Sequence, residues 1–424
     1  MTRHGPAPTS KGGSDTTMRN PGLPALVVLL AMLPVTAAHA ADSAIRYQCP
    51  TSTTLHPDGT GIVCKHLTGG DGMVTMADDD ATPIYVFGFA ELPTGGPAAD
   101  SEEYPGWVME QGTLAANTPA PTLVFDEDDE VFITLTNVGM AMRPDLFDPH
   151  SLHWHGFPNA SSIFDGVPDS SVSINMGASL SYYYLANDAG TYMYHCHVEA
   201  AEHMQMGMLG QLYVRPRQNR LAEGTDLDGF THHDGYTYVF NDGDGSTYYD
   251  VEYPIQLGSF DAAFHDAHFN VQPLPFRGMK DTYFLINGRG YPDTVNTGTI
   301  STLDPMGVEH GSQPVASLIQ ATTGQKILLR ISNLNVTRFN TIATNGLPMT
   351  VVGRDGRILR DDAGEDLYYQ TNSVTLGGGQ SYDVIIDTTG RTGTFFLYTT
   401  NLQNLSNNDE NFGGMMTEIQ ISAT

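Results

Sequence analysis

Two stretches, one in each half of the chain, repeat the same pattern of glycine, serine and aromatic residues. Residues 176–197 read MGASLSYYYLANDAGTYMYHCH, and residues 376–400 read LGGGQSYDVIIDTTGRTGTFFLYTT. Both contain Gly-x-x-x-Ser-Tyr, an alternating strand, a turn, Gly-Thr-aromatic and a final strand. Flanking stretches also match, namely 122–137 with 317–333 and 207–214 with 414–421. An internal duplication of this kind predicts two units of the same fold.

Each unit is a series of short strands rich in β-branched and aromatic residues, separated by Gly, Asn, Asp and Pro turns. This pattern, in a chain with 45 glycines, predicts an all-β protein made of two tandem Greek-key β-sandwiches. We place an N-terminal extension at 41–82, the first sandwich at 83–216, an acidic linker at 217–250 and the second sandwich at 251–424.

The N-terminal segment has the features of a secretion signal. Residues 20–40 form an apolar run that follows several basic residues and ends in the small-x-small pattern Ala38-His39-Ala40. The run is short and interrupted by prolines, and no later segment is apolar enough to span a bilayer. We therefore expect a signal peptide at 1–40 and an exported protein, periplasmic or secreted, without a membrane span.

The chain has only three cysteines. Cys49 and Cys64 lie close together in a turn-rich segment, and in an exported protein such a pair predicts a disulfide. Cys196 is then unpaired, and a free thiol in an oxidising compartment is open to oxidation unless it is buried or bound to a metal.

The formal net charge of the chain is −29. Nucleic-acid binding requires clustered Lys and Arg to neutralise phosphates, so this charge argues against a nucleic acid as partner. The acidity favours solubility, and it would also attract cationic reductants or metal ions.

Two histidine-rich runs lie in the first predicted sandwich. Residues 195–208 read HCHVEAAEHMQMGM, and residues 149–156 read PHSLHWHG. Successive strand residues point to opposite faces, so Cys196 should face away from His195 and His197.

This alternation sorts the donors into two groups. One group combines two imidazoles, a thiol and a thioether, which is the ligand set of a blue copper site. The other group contains only imidazoles and suits copper that binds oxygen species. The members of the first group are His150, Cys196, His203 and Met208, with Met204 and Met206 as nearby alternatives for the thioether. The members of the second group are His153, His155, His195 and His197.

These two motifs, with the turn at 165–168 (DGVP), resemble those of the multicopper oxidases, the family of laccases, ascorbate oxidase and ceruloplasmin. The resemblance implies cupredoxin-like domains, a type 1 copper at the first donor group, and half of a type 2/type 3 cluster at the second. It also implies one-electron oxidation of a donor at the type 1 copper, coupled to reduction of O₂ at the cluster. A two-domain layout with type 1 copper in the first domain more distantly resembles the copper nitrite reductases, which are trimers.

The second predicted sandwich lacks the matching ligands. In the internal alignment, residues 195–197 correspond to Tyr398-Thr399-Thr400, and the His-x-His of the other run corresponds to Ala343-Thr344-Asn345. No residue at these positions is a good copper ligand. The second sandwich is therefore predicted to be free of copper, and the chain supplies four of the eight histidines that a complete cluster needs.

Three explanations remain open. The missing ligands come from elsewhere in a homotrimer, or from a partner chain in a hetero-complex, or the second copper site is incomplete. In the last case the chain would be a type 1 copper electron-transfer protein or a nitrite-reductase-like enzyme rather than an oxidase. The histidines available for the first explanation are His232, His233, His265, His268 and His310. The retention of four histidines on adjacent strands favours an oxidase that uses O₂ and a small reducing substrate or a protein electron donor.

Overall fold

The computed structural model describes residues 43–158 and 161–423. The predicted signal peptide at 1–40 lies outside the described residues. Strand accounts for 42% of the structure and helix for 11%. None of the helices in the described part of the chain is long and apolar enough to cross a membrane.

The alternating residue pattern of the sequence corresponds to alternating burial along the strands. In the segment Ser179–Ala186, Tyr182, Tyr184 and Ala186 are buried while the residues between them are only partly buried. Eight strands of this kind form the first sandwich. They are β1 Ile62–Thr75, β2 Pro83–Glu91, β3 Ala120–Asp126, β4 Asp129–Gly139, β5 His153–His155, β6 Ser179–Ala186, β7 Gly190–His195 and β8 Leu209–Arg215. One sheet has the order β2-β1-β4-β6 and the other β3-β8-β7-β5.

The helices are α1 Tyr104–Gly112, α2 Ala200–Met206 and α3 Ala262–Phe269. Four short strands follow the first sandwich in the predicted linker and pair as two hairpins. They are β9 Asp226–Leu227, β10 Phe230–Thr231, β11 Thr237–Tyr238 and β12 Tyr248–Tyr249.

The second sandwich contains the remaining strands. They are β13 Val251–Phe260, β14 Tyr283–Ile286, β15 Ile300–Leu303, β16 Glu309–Gln313, β17 Ile319–Thr322, β18 Lys326–Asn333, β19 Asn340–Thr344, β20 Met349–Arg354, β21 Arg357–Ile358, β22 Tyr369–Thr371, β23 Ser373–Leu376, β24 Gln380–Asp387, β25 Gly393–Thr399, β26 Ser406–Asn407, β27 Glu410–Asn411 and β28 Met416–Ser422. Its main sheet runs β21-β20-β24-β18-β13-β14-β26-β27, with β22 on β20, and the facing sheet runs β17-β28-β25-β19-β23. Strands β15 and β16 pair as a separate hairpin.

The two sandwiches share one topology, as the duplication predicts. The order β1-β4-β6 in the first sandwich matches β13-β18-β24 in the second, and β3-β8-β7-β5 matches β17-β28-β25-β19. In each of these four series, the first two strands pair in parallel, and the second and third strands pair antiparallel. Each sandwich encloses its own apolar core. The prediction of two tandem cupredoxin-like β-sandwiches is confirmed.

One strand lies outside the range expected from sequence. Strand β1 falls within 41–82, the range that the sequence predicts to be an extension before the first sandwich. It is instead an inner strand of the sheet, antiparallel to β2 and parallel to β4. The strand could not be recognised from the sequence, because its Gly- and Thr-rich composition gives a weak strand pattern. The other predicted domain boundaries stay predictions.

A buried ion network joins the two sandwiches. The Arg330 guanidinium is fully buried and contacts Glu252 at 2.9 Å and Asp383 at 3.4 Å. Thr191 on β7 donates a hydrogen bond to Asp383 at 2.5 Å and accepts one from Arg330 at 3.1 Å. Breaking such a network leaves a buried charge without a partner, so the contact fixes β7 against the second sandwich.

The predicted disulfide between Cys49 and Cys64 is present and ties the N-terminal segment to β1. The two cysteines are 15 positions apart in the sequence. We expect the double substitution Cys49→Ala/Cys64→Ala to lower the free energy of unfolding by about 3 kcal/mol, because the unfolded chain gains loop entropy. Denaturant unfolding of the oxidised wild type and the variant measures this difference. Equal stability would mean that the crosslink does not constrain the unfolded chain.

Candidate metal centre

Strands β5 and β7 bring four histidines to one end of the first sandwich. Their antiparallel register pairs His153 with His195 and Trp154 with Tyr194. Trp154 points into the core, where it stacks on Tyr184 with a ring separation of 3.8 Å. The residues on either side of Trp154 therefore point outward, as the alternation in the sequence predicts.

The four imidazoles form one cluster. The ring centroid of His153 lies 5.1 Å from those of both His195 and His197, and the ring of His155 lies 5.6 Å from that of His195. His155 Nδ1 and His195 Nε2 are 3.4 Å apart. Burial lowers the pKa of His195 to about 3 and lowers the pKa values of His153 and His155. Burial therefore favours the neutral form of these three rings, and neutral imidazole is the form that binds metals.

Main-chain contacts orient two of these rings. His153 Nδ1 donates to the carbonyl oxygen of Asp165 at 2.6 Å, and His195 Nδ1 donates to the carbonyl oxygen of Cys196 at 2.8 Å. Fixing one ring nitrogen as a donor leaves Nε2 as the ligand atom. The turn at 165–168 thus supports the cluster. Gly166 is required there, because a Cβ would lie 2.2 Å from the carbonyl oxygen of Leu152.

The second donor group lies on the other side of the same strand. The ligand atoms of His150, Cys196 and His203 all lie within 4.8 Å of one another, and all three residues are buried. Cys196 Sγ is 3.2 Å from His203 Nδ1, and the backbone amide of Ser151 donates to the sulfur at 3.4 Å.

The segment 196–208 is closed on itself by backbone hydrogen bonds. Helix α2 follows Glu199, whose φ is +44°, and ends at Gly207, whose φ is +118°. The amide of Met208 donates to the carbonyl of His203 at 2.9 Å, and the amide of Cys196 donates to the carbonyl of Met208 at 3.1 Å. The helix therefore places His203 beside Cys196.

Gly69 on β1 touches this group and was not found by sequence reasoning. A Cβ at Gly69 would lie 3.0 Å from His150 Cδ2 and 3.3 Å from Met208 Cε. Met208 thus lies beside His150, which supports it as the thioether. Met204 instead packs near Met193 and Leu334. No local sequence signal marks Gly69, because its partners are far along the chain.

The buried donor group around Cys196 suits a soft metal cation. Among the described residues, both ring nitrogens of His150 and Nε2 of His203 are buried without a hydrogen-bond partner. Such groups are costly unless something satisfies them. Burial lowers the pKa of His203 to about 4 and raises the pKa of the Cys196 thiol to about 11. A cation that displaces the thiol proton would offset the cost of burying the thiolate, and two imidazoles, a thiolate and a thioether are the donors of blue copper.

The second sandwich lacks the equivalent donors at the same ladder position. Ala343 pairs with Tyr398 in the β19–β25 ladder, as His153 pairs with His195 in the first sandwich. The structural register therefore reproduces the internal sequence alignment. No histidine or cysteine group of metal-binding geometry occurs in the second sandwich within the described residues.

The second sandwich nevertheless forms a wall of the histidine pocket, a cavity of about 350 Å³ around the four imidazoles. Its contribution comes from 334–336 and from Gly378 and Gly379. A Cβ at Gly379 would lie 2.5 Å from His155 Nε2. Asn335 resembles a glycosylation acceptor in sequence, but it is 8% exposed and its side-chain amide donates to Ser259.

The five other histidines considered as ligands have different partners within this chain. His232 pairs with Tyr238, His233 with Glu223, and His310 with Asp304. His265 lies between two backbone carbonyls, and His268 contacts Glu202. The structure therefore brings none of these five to the histidine pocket of their own chain.

The fold and the paired donor groups are those of a copper-binding cupredoxin protein. Family models described as multicopper oxidase match residues 106–219 and 262–419, together more than half of the chain. The chain belongs to the multicopper oxidase family.

Curated relatives match only in part. The chain is 37% identical over 103 residues to multicopper oxidase MCE of Talaromyces pinophilus, covering 24% of this chain and 16% of that protein. It is 24% identical over 276 residues to L-ascorbate oxidase of Cucurbita maxima, covering 64% and 41%. The matched segments thus span less than half of either relative.

A solved structure shares the fold over most of both chains. The blue copper oxidase of Nitrosomonas europaea superposes with a TM-score of 0.59, covering 85% of this chain and 86% of the other. The sequences are 21% identical, so this likeness concerns the fold.

We expect Cys196→Ser to abolish the thiolate-to-copper absorption band of the copper-loaded protein, because the sulfur is the source of that transition. Visible spectra of wild type and variant after identical copper loading measure the effect. A band that survives the substitution would refute Cys196 as the sulfur ligand.

We expect Gly69→Ala to shift the same band and to lower the free energy of unfolding by about 1–3 kcal/mol, because the methyl group overpacks His150 and Met208. Gly106→Ala is the matched control, since a Cβ at Gly106 meets no atom within 4 Å. An unshifted spectrum in Gly69→Ala would contradict close packing of β1 against the ligands.

Proposed function

We propose that this protein is a copper-dependent oxidase, in which a donor loses one electron at a time at the Cys196 site and O₂ is reduced at the histidine pocket. The observation that carries the proposal is the direct connection between the two donor groups. Cys196 is covalently bonded to His195 and to His197, and its carbonyl also accepts the hydrogen bond from His195 Nδ1. An electron entering at the thiolate would cross only a few bonds to reach the pocket.

Copper, when bound, supplies the redox chemistry: the Cys196 set would hold a one-electron carrier, and the four imidazoles would hold the copper that reacts with O₂. The chain supplies positioning and exclusion of solvent. His150, Cys196 and His203 are 0% exposed, so little water reorganises around this site when its charge changes. The histidine pocket is more open, as the binding of O₂ requires.

The proposed site for the electron-donating substrate lies near His203. A cavity of about 340 Å³ is lined by Arg143, Glu202, His268 and the apolar residue Leu274. Glu202 immediately precedes His203, and Asp148 Oδ2 lies 3.9 Å from His203 Nε2. We propose that a small reducing substrate or a protein donor delivers its electrons here.

We further propose that a second chain completes the histidine pocket, in a homotrimer or a hetero-complex. Of the five other histidines, His233 and His310 keep side chains that are 50% and 25% exposed. His310 lies on the β15–β16 hairpin, which also carries the exposed side chains of Leu303 and Met306. Exposed apolar residues at a hairpin favour contact with another protein.

Export to the periplasm or the exterior of the cell is part of the same proposal. It is supported by the signal-like residues 1–40 and by the disulfide, since disulfides persist in oxidising compartments.

The deciding experiment measures copper per chain, O₂ uptake with a phenolic or metal-ion donor, and mass in solution. About four coppers per chain with O₂ uptake supports the oxidase, since one copper serves type 1 and three serve the cluster. One copper with a strong blue band and no turnover would contradict it, and about two coppers with nitrite turnover would instead indicate a reductase.

We expect His153→Ala to keep the blue band and to lower O₂ uptake by about 100-fold or more, because it removes a ligand of the pocket and none of the Cys196 set. His56→Ala provides the control, because His56 belongs to neither donor group nor to the five other candidate histidines, and its Nε2 contacts the carbonyl oxygen of Asp128. Loss of the blue band together with activity would mean that His153 acts on the whole domain rather than on the pocket.

A further inference from the structure

We propose that an aromatic cleft on the outer face of the first sandwich binds a small, neutral phenolic compound. The cleft is lined by residues of the N-terminal segment, of strand β1, of helix α1 and of the loop between β2 and α1. Its volume is about 340 Å³, which is within the range of small-molecule sites. Binding there requires neither copper nor O₂ and is independent of the proposed oxidase function.

The aromatic cleft is separate from both copper donor groups. It shares no lining residue with the histidine pocket or with the cavity beside His203. Gly69 on β1 faces His150 and Met208, whereas His66 precedes it by three residues and lines the cleft. An odd spacing along a strand places two residues on opposite faces. The β2-β1-β4-β6 sheet therefore separates a ligand in the cleft from the buried donor group.

Four rings form the floor and one wall of the cleft. The rings of Tyr47 and His66 stack with centroids 5.3 Å apart and planes 2° apart. Tyr104 contacts both, and Trp107 lies 5.7 Å from Tyr104 with its plane tilted by 37°. A Cβ at Gly96 would collide with the indole ring, so the loop backbone packs directly on Trp107. The rings give a concave aromatic surface, against which a flat aromatic molecule can pack by offset or edge-to-face contact.

The polar atoms of the floor already bind each other. His66 Nδ1 lies 2.7 Å from the Tyr104 hydroxyl, and His66 Nε2 lies 2.7 Å from the Thr136 hydroxyl. Burial lowers the pKa of His66 to about 4 and raises the pKa of Tyr104 to about 12, which favours the neutral forms of both. The floor therefore offers ring surfaces to a ligand, and a polar group placed there would lose its hydrogen bonds to water without replacement.

The rim of the cleft is polar but has no net charge. Lys65 and Glu91 form an ion pair at 2.8 Å, and their side chains are 30% and 38% exposed. Because the two charges offset each other, the rim favours neither an anionic nor a cationic ligand. The pairing uses one of the three N–H donors of Lys65 and one oxygen of Glu91, so further donors and an acceptor face a ligand at the rim.

This arrangement matches a phenol better than a sugar. A phenol has an apolar ring for the aromatic floor and a hydroxyl group on one edge for the polar rim. A sugar of similar size has hydroxyl groups around most of its ring, and those that face the floor would be buried without partners.

The disulfide forms part of the cleft's construction. Cys49 follows Tyr47 by two residues, and Cys64 precedes His66 by two residues. The crosslink therefore ties together the two segments that carry the stacked rings. A site that is formed before the ligand arrives loses less conformational entropy on binding.

Calorimetric titration of the full-length protein tests the binding. Copper is kept reduced under argon, so that no donor is oxidised during the measurement. Guaiacol is the phenolic probe, and glucose is the sugar comparison. We expect Trp107→Ala to weaken a guaiacol site by about 10-fold or more, because it removes one aromatic wall. Phe412→Ala is the matched control, since it removes a 91% exposed aromatic side chain that does not line the cleft.

Guaiacol that binds in the cavity beside His203 would be unaffected in both variants. Equal guaiacol binding in all three proteins would overturn the proposal, as would glucose binding that is lost in Trp107→Ala. Trp107→Phe separates loss of the ring from loss of folding, because it keeps an aromatic wall. We expect it to recover most of the affinity, and a variant as weak as Trp107→Ala would contradict ring packing as the source of binding.

The double substitution Lys65→Met/Glu91→Leu tests the rim and leaves all four rings in place. We expect the wild-type cleft to bind guaiacol severalfold more tightly than 1,2-dimethoxybenzene, which has no hydroxyl group. The double variant should bind the two compounds equally. A preference for guaiacol that persists in the double variant would refute the placement of the phenolic hydroxyl at the rim, and no preference in the wild type would refute the assignment of a phenol.

Discussion

The pairing of β5 with β7 is the interaction on which the rest of the molecule depends. It sets His153 opposite His195, buries Trp154 between the two histidines of β5, and turns Cys196 to the other side of the strand. Each donor group is built from residues of these two strands or of the segments directly next to them in the chain. A shift of one residue in this register would send the histidines into the core and the tryptophan into the pocket.

Contacts with the second sandwich also stabilise the pairing of β5 with β7. Thr191 on β7 is hydrogen-bonded to the buried pair of Arg330 and Asp383 in the second sandwich. Gly379 of the second sandwich leaves room for His155. The second sandwich thus has no ligands at Ala343 and Tyr398, but it positions β7 and forms one wall of the pocket.

Much of this arrangement was predictable from the sequence because it depends on strand periodicity. The two sandwiches, the disulfide between Cys49 and Cys64, and the separation of Cys196 from its neighbouring histidines follow from local pattern and spacing. Strand β1 was not predictable, because its Gly- and Thr-rich sequence carries no alternation and its pairing with β4 spans many residues. Gly69 and Gly379 were missed for the same reason: a glycine reveals its role only through the side chains that approach it.

The sequence by itself determined the donor atoms, their division between two faces of a strand and the absence of their counterparts in the second half. These properties follow from residue identity and a period of two. Only the tertiary structure decided which methionine lies beside His150, which histidines are already engaged elsewhere, and how the second sandwich covers the pocket. Such contacts join residues far apart in the chain, and they exist only after both sandwiches have packed against each other.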